Sequence, residues 1–347
     1  MNNLLRGLAV LPFIALAQPA FADVPGMYDD PDMVENPDMT PVEDHGQLSV
    51  DGNRIVDESG EAVSLAGVSW FWSTIGWGAE KWYNKDAVAY VAEDFDASVV
   101  RAAIAAGERG GYAEYPAEQV QMAQAVIDGA IEAGVYVIID WHSHDAEKHP
   151  EDAVEFFTLM AEQYGDTPNV IYEIYNEPLQ DTDWETVIKP YALEVIEAIR
   201  AIDPDNLIVV GTQSWSQDVD EATASPIEGH DNIAYTLHFY AATHGQDLRD
   251  KAQTALDNGY ALFVTEWGSV DAFGKGAPDH EATKVWMDFL KENELSMANW
   301  SLHDKDEGAS ILKDGASPTG GWTEDDYTEA GLLIRDIVRN WDGDPDN

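Results

Sequence analysis

Hydrophobic residues along this chain fall into two alternating rhythms. Short apolar runs recur at eight places: Leu65–Ser69, Ser98–Ile104, Val135–Asp140, Val170–Tyr175, Leu207–Gly211, Ile233–Phe239, Leu262–Thr265 and Met297–Ser301. They are brief and rich in β-branched and aromatic residues, as buried strands are. Between them, apolar residues return every three or four positions, the spacing of one helical face. Ala87, Val91 and Phe95 share such a face, as do Ala123, Val126, Ile127, Ala130 and Ile131. Val154, Phe157, Met160, Ala161 and Tyr164 form another, followed by Ile188, Tyr191, Val195, Ile199 and Ile202. Ala252, Ala255 and Leu256, then Val285, Phe289 and Leu290, then Leu333, Ile337, Val338 and Trp341 complete the series. Strand and helix in eightfold alternation predict a single-domain α/β fold, the (β/α)8 barrel. A doubly wound open sheet is the alternative, but a glycine-rich phosphate loop should then follow the first strand. The chain has Ser69-Trp70-Phe71-Trp72-Ser73 there. Ahead of the barrel, Leu48–Val50 and Ile55–Val56 flank Asp51-Gly52-Asn53, which predicts a small N-terminal hairpin.

The ends follow other rules. Arg6 is the only charge before Asp23, Leu8–Ala17 is almost wholly apolar, and Ala20-Phe21-Ala22 fits a small-x-small cleavage site. Residues 1–22 therefore read as a secretory signal peptide, which implies a secreted protein, extracellular or periplasmic. Residues 23–46 are rich in Pro and Asp and are expected to be a disordered acidic lead-in. The catalytic barrel is expected over 47–341 and an acidic tail over 342–347. The 347-residue chain carries 66 acidic and 18 basic residues, a net charge of −48. Such a surface disfavours nucleic acid and anionic membrane as partners. It also repels itself at low salt, which suggests adaptation to saline surroundings. The chain has no cysteine, which excludes disulfides and a thiol nucleophile.

Candidate chemistry sits at the strand tips, where parallel barrels hold their active sites. The fourth run ends in Asn176-Glu177-Pro178 and the seventh in Glu266-Trp267-Gly268. Two carboxylates facing each other across a cleft are the machinery of glycoside hydrolysis. Other tips offer Trp70 and Trp72, Arg101, Asp140-Trp141-His142, Trp215, His238 and Tyr240, and Asn299-Trp300. Tryptophan stacks on the apolar faces of sugar rings, so clustered indoles after strands suit a saccharide. Helical Trp184, Trp286 and Trp341 read as core instead. His142-Ser143-His144, with Asp140, His238 and Asp304, could also be read as a metallohydrolase ligand set. The many tryptophans and its place on the third strand argue against this; His144 reads as a surface loop residue.

The runs Val170–Pro178 and Val264–Gly268 resemble the two signature strands of glycoside hydrolase family 5. The resemblance extends to Val99-Val100-Arg101, Ile139–His142, Leu237–Tyr240 and Ala298-Asn299-Trp300, and covers about residues 47–341. Phe71-Trp72-Ser73 and Trp215–Val219 are most similar to bacterial endoglucanases of its second subfamily. The resemblance implies retaining hydrolysis of β-1,4-glucan by a monomer, with no cofactor and no metal. It implies Glu177 as acid/base, Glu266 as nucleophile, and Asn176 on the sugar 2-hydroxyl. Arg101 and Tyr240 would keep Glu266 ionised, and the charge on Glu266 would raise the pKa of Glu177. His142 and His238 would line the same subsite, Trp300 its stacking floor, Trp215 the leaving-group side, and Lys305 and Glu307 the distal side. Mannan or xylan hydrolysis by the same pair, or a carbohydrate-binding protein without turnover, are the alternatives.

Overall fold

The computed structural model describes residues 39–107 and 109–342. Eight parallel strands close into a barrel. They are β1 (Ala66–Trp70), β2 (Val99–Ala105), β3 (Tyr136–His142), β4 (Val170–Glu173), β5 (Ile208–Val210), β6 (Ile233–Tyr240), β7 (Leu262–Gly268) and β8 (Met297–Leu302). Each pairs with the next, and β8 pairs back onto β1. Around them run α1 (Lys85–Asp94), α2 (Pro116–Ala133), α3 (Pro150–Tyr164), α4 (Lys189–Arg200), α5 (Val219–Ala224), α6 (Gln246–Asp257), α7 (His280–Glu292) and α8 (Glu329–Arg339). Local chemistry starts these helices where the periodicity places them. Asn84, Asp279 and Thr328 accept from backbone N–H groups of the first turns of α1, α7 and α8, and prolines open α2 and α3. The (β/α)8 architecture expected from the sequence is the one observed.

Alternation along the strands sorts side chains into two cores. Val100, Ala102, Ile104, Val137, Ile139 and Trp141 face outward and pack under the helices. Val99, Ile138, Ile171, Val209, Ala234, Phe263 and Ala298 face inward at the N-terminal end of the barrel. The hairpin forms there, pairing Ser49–Asp51 with Arg54–Val56 around Gly52, whose φ of 62° suits the tight turn. Its Leu48 and Ile55 join the inward residues, so the hairpin stoppers that end of the barrel. Polar residues are left to the other end.

Two expectations need correction. Part of the lead-in is ordered: Pro41–His45 is a helical turn, with Thr40 and Glu43 in a reciprocal capping box. Val42 donates to the Gly134 carbonyl, so the turn is fastened to the end of α2. Residues 1–38, with the expected signal peptide and most of the lead-in, lie outside the described residues, as do 343–347 of the tail. The second correction concerns tryptophan. Trp70, Trp82, Trp141 and Trp267 are fully buried, and Trp70 donates to the Trp82 carbonyl. Strand-tip indoles thus divide between core and mouth, because alternation turns every second side chain away from the cleft. No helix among the described residues is long and apolar enough to cross a membrane.

Candidate active site

Arg101, wholly buried on β2, is the centre of the polar end. Its Nε and Nη2 donate to the two oxygens of Glu173 at 2.7 and 3.2 Å. Nη2 also donates to Asn176 Oδ1 at 2.6 Å and lies 3.0 Å from Asp140 Oδ2. Nη1 reaches Ser69 Oγ and Glu266 Oε2, each at 3.2 Å. One guanidinium thus joins side chains from β1, β2, β3, β4 and β7 and from the segment just after β4. Buried charge of this kind persists only when every partner is present.

Glu266 reaches the mouth because β7 carries a bulge. Thr236 faces Phe263 while His238 faces Glu266, one residue more on β7 than on β6; the register against β8 shifts as well. The extra residue lets both Thr265 and Glu266 aim inward, where strict alternation would admit only one. Tyr240 donates its phenol to Glu266 Oε1 at 2.7 Å. Gly268 makes room for that ring, since a Cβ there would sit 2.4 Å from Tyr240 Cδ1.

Glu177 stands across the mouth between two imidazoles. His238 Nδ1 lies 3.0 Å from Glu177 Oε1, and His144 Nε2 lies 3.2 Å from Oε2. His238 Nε2 is 2.9 Å from Thr265 Oγ1, whose hydroxyl donates to Glu173. Thr265 must therefore accept from His238 Nε2, and one further proton can lie between His238 Nδ1 and Glu177 Oε1. Burial opposes charge on His238, but its hydrogen bonds to Glu173 and Glu177 outweigh burial and push its pKa up to about 9. Carboxylate oxygens of Glu177 and Glu266 lie within 4.8 Å of each other. With His238 they form the one three-ligand cluster among the described residues that could hold a metal ion. Both His238 nitrogens are already engaged and the Arg101 guanidinium touches Glu266, so the cluster suits a proton better than a cation.

The pKa shifts divide the pair: Glu266 is raised, and Glu177, expected to be raised, is lowered. Burial and the charge of Glu177 raise Glu266, against His238, Arg101 and Tyr240. Burial would raise Glu177 too, but its bonds to His144 and His238 hold it down at about 2. His144, expected in a surface loop, is one of the two causes. Asp140 is pushed up by burial and neighbouring carboxylates and lies 2.5 Å from His142 Nδ1. His142 is kept neutral by burial and by Arg101, and stacks on Trp300 with planes 3° apart. His142 and His144 thus face different partners and are no metal pair. Glu173, Asp140 and Thr265 complete the constellation; in the sequence Glu173 reads only as one more position in a strand.

The predicted binding residues line a groove of three hollows. The central one, about 360 Å3, holds Glu177, Glu266, Asn176, His142, Tyr240 and Trp300, with Trp72, Trp77, Lys305 and Glu307 at its edge. A hollow of about 440 Å3 opens on one side of Glu177 and includes Trp215 but not Glu266. The largest, about 760 Å3, lies beyond Phe71 and Trp77 and contains neither acid; Lys305 and Glu307 line it, paired at 2.7 Å. Trp215 is presented by an unusual turn after β5. Ser214, Trp215 and Ser216 all have φ near +60°. Such left-handed residues cost roughly 1–2 kcal/mol each. Trp215 N donates to the Pro178 carbonyl, Ser216 Oγ to that of Asn176, and Gln213 Nε2 to that of Gln180.

Comparison with known proteins agrees with this geometry. Residues 56–306 match the model of the family described as cellulase (glycosyl hydrolase family 5). Endoglucanase Z of Dickeya dadantii is 52% identical over 295 residues, 85% of this chain and 66% of that protein. The chain thus spans just under two thirds of that relative's length. A solved structure from Cytophaga hutchinsonii aligns with a TM-score of 0.84 at 50% identity, covering 87% of this chain and 97% of that one. The catalytic domain of a Thermobifida fusca endoglucanase, solved in complex with cellotetraose, aligns with a TM-score of 0.81 at 30% identity, covering 87% of this chain and all of that one.

Arg101→Met should leave Glu173, Asp140 and Glu266 without their shared cation and cost about 3–5 kcal/mol of stability. Unpaired carboxylates take up protons as pH falls, so the deficit should shrink toward acid. Thermal midpoints of both proteins from pH 8 to pH 5 check this; a deficit constant across that range contradicts it.

With eight βα units, two acids at strand tips and a family match over residues 56–306, this chain belongs to glycosyl hydrolase family 5, the cellulase family.

Proposed function

We propose that this chain is a secreted, monomeric, retaining endo-β-1,4-glucanase acting on cellulose-like glucans. The observation that carries the reading is the separation of the two acids, with oxygens within 4.8 Å. Retaining glycosidases hold their carboxyls about 5–5.5 Å apart, whereas inverting enzymes leave about 6.5–9.5 Å for a water. The relatives support the substrate: they are named endoglucanases, and one is solved with cellotetraose. The sequence signs of a signal peptide support secretion.

In this reading Glu266 attacks the anomeric carbon. The bond from that carbon to the leaving oxygen breaks, and Glu177 gives the oxygen a proton. Arg101 and the Tyr240 phenol orient the attacking carboxylate and balance its charge. His238 Nδ1, 3.0 Å from Glu177 Oε1, can supply the proton that Glu177 passes on. Water then attacks the anomeric carbon and gives a proton to Glu177, and the Glu266 ester bond breaks. Asn176 accepts from Arg101 through Oδ1, which leaves its Nδ2–H group as the donor for the sugar 2-hydroxyl.

Glu266→Gln should lower turnover about 10^4-fold while oligosaccharide binding persists. Wild-type product released from cellopentaose should first carry the β-anomer, read by NMR; an α-anomeric first product contradicts retention.

The pH profile should be a bell. Turnover needs Glu266 ionised, and its pKa is raised, so the acid limb should lie above the ordinary glutamate value of 4.5. The alkaline limb should fall near pH 9, where His238 loses the proton. Initial rates on carboxymethylcellulose across pH 4–10 test both limbs.

The chain's net charge of −48 supports adaptation to salt. Counterions screen exposed charges within about 10 Å at 0.1 M and 3 Å at 1 M. The thermal midpoint should therefore rise from low salt to 1 M NaCl; a steady fall contradicts the proposal.

A further inference from the structure

His144 stands beside the acid on a loop that the sequence marks only as polar. It follows β3, and its side chain is 44% exposed. An imidazole this open gains little from packing, yet the backbone that carries it is pinned. Tyr175, fully buried, donates through its hydroxyl to the His144 carbonyl at 3.2 Å. On one side of His144, the Ser143 carbonyl accepts from the Glu177 N–H at 3.1 Å. On the other, the Asp145 N–H donates to Ser143 Oγ at 3.0 Å. Trp72 meets the imidazole edge-on, with ring centres 5.5 Å apart. Asp145, the carboxylate next in sequence, is engaged by Ser143 and Lys148. The carboxylate that His144 faces is Glu177, with Nε2 3.2 Å from Oε2.

The Glu177 carboxyl has a use for that second contact. Rotation about the last bond of a glutamate side chain is soft, with broad wells. His238, buried in the barrel, meets only Oε1. One point of contact leaves the carboxyl plane free to swing, whereas one contact on each oxygen fixes it. A single hydrogen between Nε2 and Oε2 makes the contact, whichever group carries it. Acid catalysis depends on that plane, because the proton must lie on the path to the departing oxygen.

We propose that His144 is a positioning residue of the acid: with His238 it fixes the plane of the Glu177 carboxyl, so that the proton points at the departing oxygen. This rests on the glucanase reading. His144 neither attacks the sugar nor protonates it, and acts through Glu177.

Leaving groups separate this role from a merely structural one. A departing sugar needs the proton, whereas dinitrophenolate departs without one. The ratio kcat/KM covers the steps up to that first cleavage. His144→Leu should lower kcat/KM on cellopentaose about tenfold, and on dinitrophenyl β-cellobioside less than about twofold. His144→Gln places an amide N–H the same number of bonds from the backbone and should recover most of the loss on cellopentaose. The side chain lies outside the core, so both variants should keep the wild-type thermal midpoint. An equal loss on both substrates, no loss on cellopentaose, or His144→Gln no better than His144→Leu overturns the positioning role. A wild type inert toward both substrates overturns the glucanase reading instead.

Discussion

Three buried carboxylates share a single guanidinium inside this barrel. Arg101 touches Glu173, Asp140 and Glu266, and holds the Asn176 amide as well. Removing these groups from water is costly, and only their mutual contacts offset that cost. With Ser69, which also accepts from Arg101, the residues come from five different strands and one strand end, so the contacts form only when the barrel closes. Folding and site assembly are therefore one event here. The apolar layer below, sealed by the hairpin, keeps that polar knot dry on its lower side.

The same knot divides labour between the two acids. Glu266 is gripped from the Arg101 side and by Tyr240, but its burial and the nearby charge of Glu177 still favour the protonated form. Glu177 faces two imidazoles, those of His238 and His144, whose pKa values it helps to raise. Charge and proton are thus distributed over a cluster that runs from Glu173 through Thr265 and His238 to Glu177.

Much of this was legible in the sequence, and what was hidden has physical causes. Eight apolar runs separated by helical periodicity identify a barrel, and acids at the ends of two runs identify its mouth. Tyr240 and Trp300 fall at strand tips and are found by the same rule, whereas Arg101 lies within β2 and is singled out by the family resemblance. Glu173 is not, because a carboxylate within an apolar run gives no sign of whether it faces the barrel interior or the helices. The bulge in β7 is also silent. Counting alternate residues from Phe263 would send Glu266 outward, and only the pairing register shows the extra residue that turns it in. His144 follows a strand in an ordinary polar loop, and its contact with Glu177 depends on a backbone path that local sequence does not encode. The tryptophans show the converse error, since residue type suggested a sugar platform where alternation made a core.

The three left-handed residues at Ser214–Ser216 have a mechanical consequence. Bonds from Trp215 and Ser216, and from Gln213 just before them, run to carbonyls on either side of Glu177, at Pro178, Asn176 and Gln180. The loop that bears the acid and the loop that bears the Trp215 indole are therefore welded into one piece. On the opposite bank the β7 and β8 loops are joined to each other through the Ala309 amide and the Gly274 carbonyl. The backbone on both sides of Glu177 is thus fixed by a neighbouring loop, and the place of that carboxyl does not rest on its own side-chain contacts alone.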